Sequence, residues 1–227
     1  MGKQFVIGDI HGACSALQEC LQKSGLSRDD DQLICLGDVC DGWPEVKESI
    51  NELMTIKNLV YLLGNHDQWA LNWMENGLAP SVWLMQGGLS TVKSYATGIP
   101  DQHLNFLRKA LPWFESENRL FVHGGFDPDL PVNQQALHDL IWDRSLVADA
   151  WDNRATGKKR TRYQRVFVGH TPTQTFGSTK PIQLNDIWML DTGAGWTGGY
   201  LTIMDTGSGE YWQSSRVDLL YPGICGR

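Results

Sequence analysis

The chain has 227 residues, 41% of them hydrophobic and 20% charged, a balance that excludes disorder and fibrous architecture and is long enough for one substantial α/β core. A formal net charge of −7 argues against a general nucleic-acid coat, so no stable nucleic-acid partner is expected. No run is apolar enough to span a bilayer, so no membrane partner is expected either.

Met1–Gln4 lead straight into a short apolar run, without the longer apolar segment and cleavage site of a secretory signal. The five cysteines, Cys14, Cys20, Cys35, Cys40 and Cys225, show no CxxC pairing. Both features favour a reducing, cytoplasmic location. A single domain over residues 1–227 is expected.

In chain order, short apolar runs read as strands that each end in Gly, Asp, Asn or His: Gln4–Ile7, Gln32–Leu36 and Leu59–Leu63. Between them, Ala13–Lys23 and Glu45–Thr55 carry apolar residues such as Leu17 and Leu21 at helical spacing. Strand alternating with helix predicts a largely parallel sheet. Residues 68–112 differ: Trp69, Leu71, Trp73 and Met74 follow a helical pattern, and a mostly helical insertion is expected there. Further strands are expected at Arg119–Val122, Arg165–Val168 and Ile187–Leu190, with a hairpin from Tyr200–Met204 to Glu210–Gln213 around a Gly-rich turn.

The polar residues after these strands form five short motifs: Gly8-Asp9-Ile10-His11-Gly12, Gly37-Asp38-Val39-Cys40-Asp41-Gly42, Gly64-Asn65-His66-Asp67, His123-Gly124-Gly125 and Gly169-His170-Thr171. Four of the six histidines lie in them. Any one motif taken alone reads more readily as a strand-end cap or a satisfied polar residue; the ordered set is specific. Ligands of open α/β sheets bind beyond the carboxyl ends of strands, where every one of these motifs falls.

With these residues in this order, the chain resembles the calcineurin-like metallophosphoesterases, especially the phosphoprotein phosphatase branch of bacterial and phage Ser/Thr protein phosphatases, whose motifs read GDxHG, GDxxDRG, GNHE/D, HG and GHT. The likeness extends to Asp191-Thr192-Gly193-Ala194-Gly195. It implies a four-layer α/β sandwich of two mixed β-sheets flanked by helices, and two divalent metal ions. Carried over residue by residue, Asp9, His11 and Asp38 would hold one ion and Asp38, Asn65, His123 and His170 the other, with Asp38 bridging. Carboxylate and amide oxygens mixed with imidazoles suit Mn²⁺, and also Fe or Zn²⁺, better than an all-oxygen Ca²⁺ cage or an all-thiolate site. The resemblance leaves His66 out of the ligand set and pairs it with Asp41; a carboxylate fixes the imidazole tautomer, so His66 can protonate the leaving alkoxide while a water shared by two ions attacks in line. Asp67 is read as support behind the ligands.

Two family arginines are missing, with Gly42 and Leu63 in their places. Arg144, in Trp142-Asp143-Arg144, resembles a later phosphate-binding arginine and is the best remaining clamp, set against a surface ion-pair role. Arg154, Lys158, Lys159, Arg160, Arg162 and Arg165 form a basic loop that is either a solvated surface or a landing site for an anion. Trp43 reads as core or as a stacking platform, Cys40 as a small buried hydrophobe, and His103 and His138 receive no chemistry. The expected substrate is a phosphorylated protein or a small phosphoester. The alternative is a nucleotide: a dinucleoside polyphosphate hydrolase or phosphodiesterase, which the lost arginines and the basic loop would suit. Dinucleoside tetraphosphate hydrolases of this family often lack the Asp that pairs with the acid but keep the Arg, the reverse of this chain.

Overall fold

In the computed structural model, which describes residues 2–227, the alternation of side chains along each strand sets up the layers. In β1 (Gln4–Ile7) and β2 (Gln32–Cys35), Val6 and Ile34 face the space between two sheets, while Phe5, Ile7, Leu33 and Cys35 face helices on the outside. Beside them run β3 (Asn58–Tyr61), then β4 (Trp113–Ser116), β5 (Arg119–Val122) and β6 (Arg165–Val168) of the second sheet. The remaining strands are β7 (Ile182–Leu184), β8 (Ile187–Met189), β9 (Thr202–Asp205) and β10 (Tyr211–Gln213).

The first sheet has the order β10-β9-β1-β2-β3 and the second β4-β5-β6-β8-β7. Both are mixed: β1, β2 and β3 run parallel, as do β5, β6 and β8, while β9 and β10, and β4 and β7, are antiparallel additions. Val6, Ile34, Leu36, Phe121, Phe167, Leu190 and Met204 fill the seam between the sheets, with the rings of Phe121 and Phe167 stacked at 4.9 Å.

The outer faces are covered by helices. Helix α1 (Cys14–Ser24) buries Ala16, Leu17, Cys20 and Leu21 and ends at Gly25, whose φ of 66° lets its N–H turn back to the Gln22 carbonyl. Helix α2 (Val46–Leu53) turns Val46, Ile50 and Leu53 inward at the same spacing. On the other side, the helices Leu137–Trp142 and Ser145–Asp152 cover Leu120, Val122, Val166 and Val168. The chain is thus a four-layer sandwich of helices, sheet, sheet and helices.

The stretch after β3 is mostly helical. Helix α3 (Asn65–Asn76) starts at Asn65, earlier than the sequence pattern suggests, and is followed by helices at Leu89–Ser94 and Asp101–Arg108. The hairpin is antiparallel and lies beside β1. Among the described residues, no helix is long and apolar enough to cross a membrane.

Candidate metal centre

Because β1, β2 and β3 point one way, and β5, β6 and β8 likewise, the loops that follow these strands gather at one edge of the sandwich. That edge holds Asp9, His11, Asp38, Asn65, His123 and His170, all buried. Two triads of ligand atoms emerge, Asp9 with His11 and Asp38, and Asp38 with His123 and His170, each with its atoms within 4.8 Å of one another. Asp38 belongs to both. Asn65 joins the second triad, its Oδ1 standing 3.1 Å from His123 Nε2.

Convergence on this scale strains the backbone. His11, Asp38, Asp41 and His170 take φ values of 50°, 49°, 72° and 61°, a left-handed conformation uncommon outside glycine and concentrated at functional sites. Two glycines make the approach possible: a Cβ on Gly64 would lie 2.0 Å from Asp38 Oδ1, and one on Gly169 would lie 2.2 Å from Asp9 Oδ1. Asp67 then ties the second motif to the start of α3, its carboxylate accepting from the N–H groups of Val39, Cys40 and Gly64 at 2.9, 3.0 and 3.1 Å.

The histidines are oriented as ligands require. His11 Nδ1 donates to the Cys40 carbonyl at 3.1 Å and His123 Nδ1 to that of Leu36 at 2.8 Å, so both Nε2 atoms face inward. They stand 3.7 and 3.4 Å from Asp38 Oδ2. Among the described residues, Asp38 Oδ2 and His170 Nε2 are buried without a hydrogen-bond partner. Orphaned polar atoms are costly unless something binds them.

Electrostatics points the same way. Burial and then the like charge of Asp191 push the Asp9 carboxyl well above the usual range, and burial raises Asp191 too. Burial and then the neighbouring His123 push His170 down to about 2. Burial works against the charge on Asp38, yet His123, His66 and His11 around it hold it well below the ordinary carboxylate range. Burial works against the charge of His123 as well, yet Asp38 and Asp9 beside it raise it to about 9. Carboxylates and imidazoles crowded in this way form a donor set that divalent cations fit.

Next to the triads, His66 Nδ1 donates to Asp41 Oδ2 at 2.6 Å, since an ionised carboxylate can only accept. Asp41 is itself held by Trp83 Nε1 at 2.7 Å and Thr91 Oγ1 at 2.6 Å. His66 Nε2 is thereby left facing the site, buried and without a partner among the described residues. The indoles of Trp69 and Trp142 stand edge-on to His66 and His170 at 5.2 and 5.9 Å, which accounts for two of the abundant tryptophans.

A family profile described as calcineurin-like phosphoesterase matches residues 3–221. The chain belongs to that family. Its members are metal-dependent phosphoester hydrolases, and the chain is an enzyme of this class. It is 27% identical over 214 residues to serine/threonine-protein phosphatase 1 of Salmonella typhimurium, covering 88% of this chain and 89% of the relative. It is also 25% identical over 174 residues to the symmetrical bis(5'-nucleosyl)-tetraphosphatase of Pseudomonas syringae, covering 74% of this chain. The chain spans only 58% of that relative and 45% of the corresponding Coxiella burnetii protein. A solved structure assigned provisionally as a diadenosine tetraphosphatase superposes with a TM-score of 0.71 at 19% identity, covering 93% and 92% of the two chains. The cold-active protein-tyrosine phosphatase of a psychrophilic Shewanella does so with a TM-score of 0.57 at 16% identity, covering 95% and 81%.

Three open readings of this phosphoesterase are narrowed by geometry. Trp43 is fully buried, donates to the Ala194 carbonyl at 2.7 Å and stacks on Tyr221, so it is core and not a platform for a substrate ring. The basic loop enters β6 at its start, and Arg165 there donates to the Thr206 carbonyl at 2.6 Å, whereas His170 follows the end of the same strand. The loop therefore lies at the edge opposite the metal motifs. Arg144 stands at the site: its Nη2 donates to the His170 carbonyl at 3.2 Å, and it lines a cavity of ≈ 350 Å³ with Thr171, Pro172, Gln174, Thr175 and Trp196. Arg227 also reaches the site, and nothing in the motif pattern pointed to it.

Proposed function

We propose that the chain is a phosphomonoesterase acting on a phosphorylated protein or a small phosphoester, with His66 as general acid and Asp41 as the group that positions it. Asp9, His11 and Asp38 would hold one divalent ion and Asp38, Asn65, His123 and His170 the second, Mn²⁺ being the expected occupant and Fe or Zn²⁺ the alternatives. When bound, the ions would activate water and neutralise phosphoryl charge.

The observation that carries this reading is the buried His66–Asp41 pair, whose free Nε2 faces the site. An alkoxide leaving from a phosphomonoester is strongly basic and needs a proton as the bond breaks. A nucleoside polyphosphate is a stable anion and leaves without one. A site that retains this pair, fixed from behind by Trp83 and Thr91, is equipped for the harder leaving group. The similarity to the Salmonella phosphatase, which runs nearly the full length of both chains, supports the same reading. A cytoplasmic location is supported by four buried cysteines, none of them in a disulfide.

A dinucleoside polyphosphate is the second reading, favoured by Trp196, 38% exposed at the mouth of the cavity beside Arg144. Turnover of a phosphoserine peptide, a dinucleoside tetraphosphate and nitrophenyl phosphate, with Mn²⁺ and after chelation, separates the two. The phosphopeptide is expected to have a higher kcat/KM than the dinucleotide. The opposite ranking would move the assignment to nucleotides, and turnover unaffected by chelation would remove the metal centre from the reaction.

A further inference from the structure

The phosphoester reading leaves a gap in the site: no cation extends from Gly42 or Leu63, where the family pattern places arginines. The space beside Gly42 is nevertheless filled. Arg227 is anchored by its N–H to the Gly195 carbonyl at 2.8 Å, and its side chain runs through a groove walled by three glycines. A Cβ on Gly42 would lie 3.6 Å from Arg227 Cγ, one on Gly87 3.2 Å from the same atom, and one on Gly195 3.0 Å from Arg227 Cδ. Small residues on three sides leave room for an arm entering from elsewhere in the sequence.

The head of that arm is placed for work on an anion. Its Nη1 stands 3.0 Å from His11 Nε2, across 216 positions of sequence, and its Cζ lies over the Trp196 ring at 5.0 Å. Its Nε is buried with no hydrogen-bond partner among the described residues, as is Thr171 Oγ1 on the cavity wall. Arg144 lines the same cavity, close enough that Arg227, after burial, is the chief influence lowering the affinity of Arg144 for its proton. Neither arginine is in an ion pair with a carboxylate among the described residues. Two guanidinium groups near enough to influence one another repel until an anion lies between them, and their planar forks match phosphate oxygens.

We infer that Arg227 is a substrate-binding residue that supplies, from the far end of the sequence, the phosphate-gripping guanidinium that Gly42 lacks, and that it clamps the phosphoryl dianion together with Arg144. The inference rests on the phosphoester reading for its substrate, but its test needs only inorganic phosphate. When ions take the His11 and Asp38 donors, the guanidinium that contacts His11 would turn from it toward the anion.

The test is calorimetric binding of inorganic phosphate to the Mn²⁺-loaded chain, with bound Mn²⁺ counted in parallel. Loss of a charge-assisted pair of hydrogen bonds to a dianion should weaken phosphate binding about 10- to 100-fold in Arg227→Ala. Arg227→Lys, which keeps the charge but loses the fork, should fall between it and the parent, and free guanidinium ion should restore part of the loss to Arg227→Ala. Mn²⁺ content should stay unchanged in both. Unchanged phosphate affinity in Arg227→Ala overturns the inference. So does tighter Mn²⁺ binding with phosphate affinity unaltered, which would make Arg227 a plug in the metal-free site. If phosphate binding weakens as expected while no phosphomonoester is turned over, the clamp stands and the proposed substrate class falls.

Discussion

Both edges of the sandwich carry charged side chains, yet they are finished differently. At the edge beyond the ends of β1, β2, β5 and β6, carboxylates and imidazoles are buried together, four non-glycine residues of the motifs sit at positive φ, and Asp38 Oδ2, His66 Nε2 and His170 Nε2 lack partners among the described residues. At the opposite edge the loop cations other than Lys158 find partners in the protein itself. Arg160 pairs with Asp149, Arg162 donates to the Tyr163 hydroxyl, and Arg165 donates to the Thr206 carbonyl. Satisfied charge makes a surface, whereas unsatisfied buried charge marks a place where something else must bind. Conspicuous charge in the sequence is therefore a weaker guide to the site than unmet hydrogen-bonding capacity in the fold.

The severest way to break that comparison is to neutralise the residue shared by both triads. Asp38→Asn is expected to abolish phosphoester hydrolysis and to deplete metal at both positions, because only Asp38 contributes to the two triads at once. Metal analysis under limiting Mn²⁺ checks this. Full occupancy of both positions in the variant would mean that Asp38 is not the bridge.

His66→Asn comes next and separates the acid from the ligands around it. Metal content should be nearly intact and kcat on a phosphoserine peptide about 10²–10⁴-fold lower. The loss on nitrophenyl phosphate should be much smaller, since nitrophenolate departs without help from a proton. Equal losses on both substrates with metal depletion would make His66 a ligand instead. Asp41→Asn should show the same dependence on leaving group more weakly, because the imidazole remains while the carboxylate that orients it at 2.6 Å is lost.

What could be read from the sequence was whatever is local. A strand followed at once by Gly and Asp, Asn or His is a contiguous signal, and the ordered set of such signals carried the resemblance from which Asp9, His11, Asp38, Asn65, His123 and His170 were expected as ligands. The pairing of β9 with β1 and the short strands β4 and β7 were not legible: three or four residues carry little periodicity, and what holds them is a neighbour distant in sequence. Trp83 and Thr91, which brace Asp41, lie in a helical stretch whose pattern reports only packing. Arg227 was the least visible. Its place is set by a groove of Gly42, Gly87 and Gly195, drawn from three separate segments, and no spacing rule connects them. The basic loop was left open for the converse reason, since six cations within twelve positions stand out in sequence while the groups that hold them, such as Asp149 and the carbonyls of Trp151 and Thr206, are scattered.

The smallest expected effect belongs to that loop. Arg154 lies over the Trp151 ring at 4.2 Å and donates to its carbonyl at 2.6 Å; Lys159 donates to the Tyr163 carbonyl at 3.1 Å; Asp186 accepts from the N–H groups of Arg160 and Thr161 at 2.7 and 2.9 Å. These contacts fold the loop onto its own surroundings, at the edge away from the metal motifs. Replacing Arg154 and Lys158 with Ala should therefore leave KM, and its dependence on salt, unchanged within experimental error. Arg160→Ala removes a partly exposed ion pair with Asp149, worth roughly 0.2–1 kcal/mol. In a domain of this size that lowers Tm by about 4 °C or less. Thermal melts and a salt series on the same variants measure both effects. A several-fold rise in KM that fades with added salt would show the loop gathering anions from a distance. The contrast between the two edges would then hold for binding and chemistry but fail for substrate capture.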